Sequence, residues 1–230
     1  MKLLIIVCFI CGLLVFLAWF LSRFDNPYKF SLHIGKKGSG KTTTLAALAL
    51  EYHKKGKRVL CTEPGILNTE LIPVEDIGKF WLPEGCVLLI DEIGLIWHNR
   101  SYQDKQFNRD FKVVREWFKF QRHNKVIVHA FTQSMDIDKG LRDLCDYVYL
   151  HSVKFNTIAI QRTVARRICL NKPNGDGTSS AITEEFYFVP GIGKHALTLR
   201  YIPKYRKLFN SFCKLDLPDW DGRNGKQKSA

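Results

Sequence analysis

From Leu3 to Leu21 the chain reads "LLIIVCFICGLLVFLAWFL", with no charged or strongly polar position. At 1.5 Å per helical residue the run reaches about 28 Å, close to the hydrocarbon thickness of a bilayer, and predicts one membrane-spanning helix. It exceeds the usual h-region of a cleaved signal peptide and no A-x-A-like site follows it, so retention is expected. Beyond the turn-forming "DNPY" at Asp25 to Tyr28 the pattern changes to short strand-like runs. These are "FSLHI" (Phe30 to Ile34), "RVLCTE" (Arg58 to Glu63), "CVLLI" (Cys86 to Ile90), "VIVHAFTQ" (Val126 to Gln133) and "YVYLHSV" (Tyr147 to Val153). Segments of helical spacing lie between them, notably "TTLAALALEYHKK" (Thr43 to Lys55) and the stretch from Lys105 to Arg122. This alternation predicts βαβ units, hence an α/β fold with a mainly parallel sheet flanked by helices.

After Val153 the runs "NTIAIQRTVARRICL", "EEFYFVP" and "ALTLRYIP" follow one another, with the turn-rich "NKPNGDGTSS" (Asn171 to Ser180) after the first. They predict extra antiparallel strands towards the C-terminus. Polar "DWDGRNGKQKSA" (Asp219 to Ala230) has no apolar spacing and reads as a tail. The expected organisation is residues 1–24 for the transmembrane helix and its flank, 25–29 for a linker, 30–215 for one α/β domain and 216–230 for the tail.

A formal charge of +13 favours contact with nucleic acid or anionic lipid over acidic partners. Only Lys2 precedes the apolar run, whereas Arg23, Lys29, Lys36 and Lys37 follow it. The positive-inside rule then puts the N-terminus outside and the domain in the cytoplasm. The odd count of seven cysteines, without paired metal-type spacing, predicts reduced thiols of a cytosolic domain. Cys8 and Cys11 form the one C-x-x-C, inside the apolar run, and are given no function.

Chemistry enters at Gly35 to Thr42. "GKKGSGKT" satisfies G-x-x-x-x-G-K-[ST], with a strand pattern before it and a helix pattern after it. Such a P-loop binds ATP through the backbone of Gly35, Lys36, Lys37, Gly38, Ser39 and Gly40 and the first helical residues Lys41, Thr42 and Thr43. Lys41 is expected to reach the β- and γ-phosphates, and Thr42 to ligate Mg2+. The strand "CVLLI" ends in Asp91 and Glu92, a Walker B pattern. Asp91 is expected to hold magnesium through water and Glu92 to polarise the attacking water. Gln133, ending the next apolar strand, is a candidate contact to the γ-phosphate or its water.

The order of elements resembles the zonula occludens toxin (Zot)-like domain of filamentous bacteriophage morphogenesis proteins. The resemblance lies in "LLIDEIG" followed by "FKFQRHNKVIVHAFTQSMDIDKGLRDLCDYVY" (Phe118 to Tyr149), and in "KYRKLFNSF" (Lys204 to Phe212). It implies a P-loop ATPase related to the FtsK/HerA motors, with the Gln-bearing strand between the P-loop and Walker B strands. It further implies a homo-oligomeric ring at the host inner (cytoplasmic) membrane, extruding phage single-stranded DNA as coat subunits are added. The sequence departs from the family in carrying its apolar segment before the ATPase region, and "QRHN" (Gln121 to Asn124) lacks the first histidine of an H-R-H tract.

Lys105, Arg109, Lys112, Arg115, Lys119 and Arg122 recur every three or four places, which gathers them on one helical stripe, with Phe107, Phe111, Val113, Val114, Trp117, Phe118 and Phe120 filling the remaining arc and expected to pack inward. The stripe is a candidate DNA surface, since phosphate binding needs cations along a line. Anionic lipid, a neighbouring subunit or plain solvation uses the same cations equally well. Arg142 is a candidate arginine finger, weighed against an ion pair with Asp138 or Asp146. Two other readings stay open: a DNA-packaging or conjugal coupling ATPase with the same site, and a non-hydrolysing membrane adaptor switched by nucleotide.

Overall fold

The computed structural model describes residues 2–22, 26–97, 105–135, 137–170, 182–191 and 196–210. The turn-rich stretch at Asn171 to Ser180 and the polar tail lie outside the described residues. So do the side chains of Lys105, Phe107 and Arg109.

Helix α1 spans Lys2–Ser22. Among the described residues no helix is long and apolar enough to cross a membrane. The expected span falls on α1, whose side chains at positions 2–5, 8, 14, 18, 19, 21 and 22 lie outside the described residues.

Among the described residues nine strands form one sheet. They are β1 (Phe30–Ile34), β2 (Val59–Cys61), β3 (Glu70–Leu71), β4 (Val87–Ile90), β5 (Ile127–Thr132), β6 (Tyr147–Lys154), β7 (Ile158–Leu170), β8 (Ile182–Phe188) and β9 (Leu197–Tyr201). Their order is β3-β2-β4-β5-β1-β6-β7-β8, with β9 also paired to β7. Every pair from β3 to β6 is parallel. β6–β7, β7–β8 and β7–β9 are antiparallel, so the mainly parallel sheet with an antiparallel extension is as expected.

Period-2 alternation divides the strands between two faces. Phe30, Leu32, Ile34, Leu88, Ile90, Val128, Ala130 and Val148 point to one face. There they meet Phe111, Trp117 and Phe118 of α4 (Lys105–Phe120), Ile93 of α3 (Ile93–Ile96) and Leu141 of α5 (Lys139–Asp143). On the other face Val59, Cys61, Val87, Leu89, Ile127 and Phe131 meet Leu45, Leu48 and Ala49 of α2 (Lys41–Lys54). β4 is buried at every position, as its unbroken apolar run requires. The chain returns through α6 (Ile202–Tyr205) to the edge beside β2, where the Leu67 N–H donates to the Leu208 carbonyl at 2.9 Å.

β1 places His33 on the α2 face, between His129 of β5 and His151 of β6. Its Nδ1 lies 2.9 Å from His151 Nε2 and its Nε2 lies 3.0 Å from His129 Nδ1. Tyr52 of α2 closes the far end, with Oη 3.1 Å from His129 Nε2. A neutral imidazole donates once and accepts once, so these bonds form one directional chain that satisfies groups otherwise costly to bury. Burial, reinforced by the neighbouring histidines and Arg200, holds His33 well below the ordinary imidazole value. Burial, with Arg200 and Lys41, lowers His151 to about 3.

Both rings are neutral in the fold, and the unfolded chain binds their protons more readily. Stability from them is therefore complete above about pH 6.5 and is lost as pH falls below it, at ~1.4 kcal/mol per pH unit for each ring that stays neutral, a window that extends to about 3 for His151. Thermal melts between pH 7 and 4 are expected to show this fall, and His151→Gln to flatten it; an unchanged slope contradicts the assignment.

Candidate nucleotide site

β1 and β4 are parallel and flank β5, so their C-terminal ends open on the same edge of the sheet. The phosphate loop leaves β1 at Gly35, whose N–H donates to the Thr132 carbonyl of β5 at 3.1 Å. A side chain at Gly35 meets Ser39 Oγ and lies 2.9 Å from His151 Cβ, so the entry to the loop accepts only glycine. Gly38 and Gly40 have φ of 76° and 83°. A Cβ at Gly40 also lies 2.8 Å from Ala159 Cβ, because the β6–β7 hairpin packs against the loop. Without a Cβ these residues turn the backbone sharply into the N-terminus of α2.

Lys41 is buried, and its Nζ donates to the Gly35 and Lys36 carbonyls at 2.7 and 3.3 Å. The ammonium thus bridges the two arms of the loop over the space where phosphates sit in such folds. Thr42 is half-buried, Thr43 is buried, and Lys36, Lys37 and Gly38 are exposed. Ser39 Oγ is buried without a hydrogen-bond partner.

The acidic side follows β4. The Asp91 N–H donates to Thr62 Oγ1 at 3.0 Å, and the Glu92 N–H donates to Asp91 Oδ1 at 3.1 Å. Burial, and then the carboxylates of Glu92 and Glu63, raise Asp91 to about 6. Burial and Glu92 also raise Glu63. Among the described residues no group of three or more His, Cys, Asp or Glu side chains is gathered to hold a metal by itself. A hydroxyl at a helix start and a carboxylate after a strand are nevertheless the oxygen donors a magnesium ion takes, so the chemistry of Thr42 and Asp91 fits that ion. Glu92 has φ 49° and ψ 45°, a left-handed conformation that non-glycine residues seldom adopt. Its Oε1 accepts from Gln133 Nε2 at 2.9 Å. The loop, Asp91, Glu92 and Gln133 are thus gathered at one end of adjacent strands.

Other candidates lie elsewhere. Arg142 belongs to α5, which leads to Asp146. Asp146 is bonded to Phe30, at the end of β1 opposite the loop, through Asp146 N–H to Phe30 O and Phe30 N–H to Asp146 Oδ2, both 2.8 Å. Arg142 is therefore not brought to the phosphate loop of its own chain. On α4, Arg115 Nη2 donates to buried Asp138 at 3.0 Å, and just beyond it Arg122 ion-pairs with Asp146. These two cations of the expected stripe tie α4 to the α5 region, whereas Lys112 and Lys119 are exposed. Sequence reasoning missed Glu63 and Thr62, which follow β2 and reach Asp91 through the β2–β4 pairing. The acidic residue closing "RVLCTE" beside the Walker B strand was the available signal.

A family model for the ATPase family associated with various cellular activities (AAA) matches residues 31–152, more than half of the chain. Among solved structures, the N-terminal domain of zonular occludens toxin from Neisseria meningitidis is similar, with a TM-score of 0.51 at 18% identity. The match covers 80% of this chain and 99% of that one. The genome packaging NTPase B204 from Sulfolobus turreted icosahedral virus 2, in complex with AMPPCP, gives a TM-score of 0.43 at 15% identity over 55% of this chain and 75% of that one. A comparison with curated proteins finds no match. In this chain the strand that ends at Gln133, β5, lies between the P-loop strand β1 and the Walker B strand β4.

A left-handed residue with a Cβ costs on the order of 1 kcal/mol relative to glycine. Glu92→Gly is expected to raise stability by about that amount in denaturant titrations; a loss of stability contradicts strain at this position.

Proposed function

The chain belongs to the ATPase family associated with various cellular activities (AAA), and from that premise we propose that it is a membrane-anchored ATP hydrolase driving extrusion of single-stranded DNA in filamentous phage assembly. The observation that carries the hydrolytic reading is the Gln133 to Glu92 hydrogen bond, beside Asp91 and on the same sheet edge as the loop. Lys41 exchanges the loop carbonyls for β- and γ-phosphate oxygens and neutralises charge as the terminal P–O bond breaks. Glu92 aligns a water and takes its proton as that water's oxygen bonds to phosphorus, while Gln133 fixes the carboxylate and offers an N–H to the water or the γ-phosphate. Thr42 and Asp91 would hold a magnesium ion, which would supply charge neutralisation on the phosphate oxygens. A nucleotide-switched adaptor has no use for a carboxylate oriented by a glutamine.

The membrane part rests on the uncharged sequence from Leu3 to Leu21 and on the surface of α1. Phe9, Ile10, Leu13, Val15 and Phe16 are all exposed there, so apolar side chains face outward around the helix. A helix apolar all round calls for an apolar surrounding. In this reading the N-terminus is outside the host inner membrane and the ATPase domain in the cytoplasm. The extrusion role is supported by the resemblance of the tract from Phe118 to Tyr149, and the DNA track by the net charge of +13. A ring gives Arg142 its use as a finger directed at a neighbour's nucleotide.

In phosphate-release assays on the full chain, Lys41→Ala is expected to weaken ATP binding by about 10- to 100-fold. Glu92→Gln should retain binding and lose turnover by about 10²- to 10⁴-fold. Release at the wild-type rate by both variants overturns the hydrolytic reading. Because Arg115 and Arg122 hold the fold, the DNA surface is tested at the exposed positions. Lys112→Glu with Lys119→Glu should lower single-stranded DNA affinity and its salt dependence while sparing basal hydrolysis, and unchanged binding across salt removes the stripe.

A further inference from the structure

Helix α2 packs its apolar side over β2, β4 and β5, and beside it the same sheet face carries polar side chains on β1, β6, β7 and β9. Between the Glu51, Tyr52 and Lys55 edge of α2 and that polar face lies a cavity of about 350 Å³. Strand alternation points Tyr149 of β6, Gln161 of β7 and Arg200 of β9 into it, and His33 and His129 form part of its wall. None of these side chains belongs to the nucleotide site.

Arg200 is the informative residue. It is half-buried, and desolvation lowers its pKa. A guanidinium does not discharge in proteins, so its charge stays inside the cavity. Its Nη1 donates to Gln161 Oε1 at 2.7 Å, a neutral acceptor. Glu51 lines the same cavity and is ion-paired with Lys55 at 2.9 Å. Lys29 and Lys57 also line it, with the Lys29 ammonium 5.7 Å from the centroid of Tyr147 and the Lys55 ammonium 5.4 Å from that of Tyr52. Arg200, Lys29, Lys55 and Lys57 thus line the cavity with Glu51 as their one carboxylate, which acts on Arg200 as well as on Lys55, while Lys57 also donates to the Gly85 carbonyl at 3.3 Å. Positive charge in excess of one shared carboxylate is costly where it is partly desolvated, and an anion held by a guanidinium fork relieves that cost.

We propose that this cavity is a phosphate-binding site, in which Arg200 forks onto the phosphate oxygens and Lys29 and Lys55 close the mouth. Its volume is at the low end for small-molecule sites and suits a phosphate on a small polar head, not a polymer strand. Asn26 and Pro27 form part of the rim, and α1 ends at Ser22. The phosphate therefore has two sources, a soluble phosphate ester or the head group of an anionic lipid.

The test uses the full chain with saturating ADP, so that the phosphate loop is filled, and titrates glycerol phosphate by calorimetry. Saturable binding is expected, weakened about 10- to 100-fold by Arg200→Gln and less by Arg200→Lys, with ADP affinity unchanged in all three proteins. Should Arg200→Gln fail to fold, Lys29→Gln with Lys55→Gln at the mouth is expected to weaken binding instead. Nanodiscs of phosphatidylcholine, with and without phosphatidylglycerol, separate the sources. An Arg200-dependent preference for the anionic discs assigns the lipid, and equal disc binding with glycerol phosphate bound assigns the soluble ester. Absence of glycerol phosphate binding, undiminished binding by the variants, or Arg200-dependent capture of a single-stranded oligonucleotide alone overturns the proposal. Lost ADP binding by the wild type would instead strike the nucleotide site.

Discussion

The hydrogen bond from the Gly35 N–H to the Thr132 carbonyl extends the pairing of β1 and β5 one step beyond the end of β1. By this bond the entry of the phosphate loop is fixed to the residue preceding Gln133, and β5 in turn is registered on β4 through Ala130 and Ile90. Phosphate cradle, glutamine and carboxylates therefore share one frame of parallel backbone. The frame is rigid because both faces are sealed, by Leu45 and Leu48 of α2 on one side and Phe118 and Leu141 on the other. A loop free to move against β5 would not hold reacting atoms within the fraction of an ångström that catalysis demands.

Around that frame the chain tolerates local conformations that packing alone does not favour. Glu92 is left-handed where a glycine is relaxed, and Ser39 Oγ is buried without a partner. Both lie at the sheet edge where the proposed nucleotide would sit, and strain concentrated at such places is the usual mark of a site. The chain of Tyr52, His129, His33 and His151 brings the same logic below the loop. It ends at His151 Nδ1, also buried and unpartnered, with His151 Cβ against the position where Gly35 can carry no side chain. Loop geometry and the protonation of the interior thus meet at one residue of β6.

Much of this was legible along the chain. The strands of the parallel sheet were readable because each is an apolar run bounded by turn residues, and the P-loop and Walker B elements because their chemistry depends on short, contiguous spacing. The amphipathic period from Lys105 correctly put Phe111, Trp117 and Phe118 inward, but Val113 and Phe120, expected on the same packed arc, are exposed, because they stand at its margins next to the charged stripe. It failed to show that Arg115 and Arg122 are anchored, since their partners Asp138 and Asp146 arrive from segments on the far side of β5. Glu63 and the histidine chain were hidden for the same reason. Their neighbours are set by strand order, which local periodicity does not encode.

The polar part of the α2 face follows from topology. In a sheet of βαβ units each crossover supplies a helix, but β6 turns back into β7 through a tight hairpin at Phe155 and Asn156, both left-handed. No crossover helix is made there, and the face that one would cover keeps Tyr147, Tyr149, Gln161 and Arg200 in place of aliphatic residues. An antiparallel extension left unsealed for want of a helix would ordinarily be fully solvated on that side. Here α2 and the Asn26–Pro27 linker narrow the space to a cavity, so Tyr149 and Gln161 on it are buried and the guanidinium of Arg200 is partly desolvated. A charge held in that position is stabilised by an anion that enters from outside, which makes the departure from regular βαβ winding the physical origin of the second site.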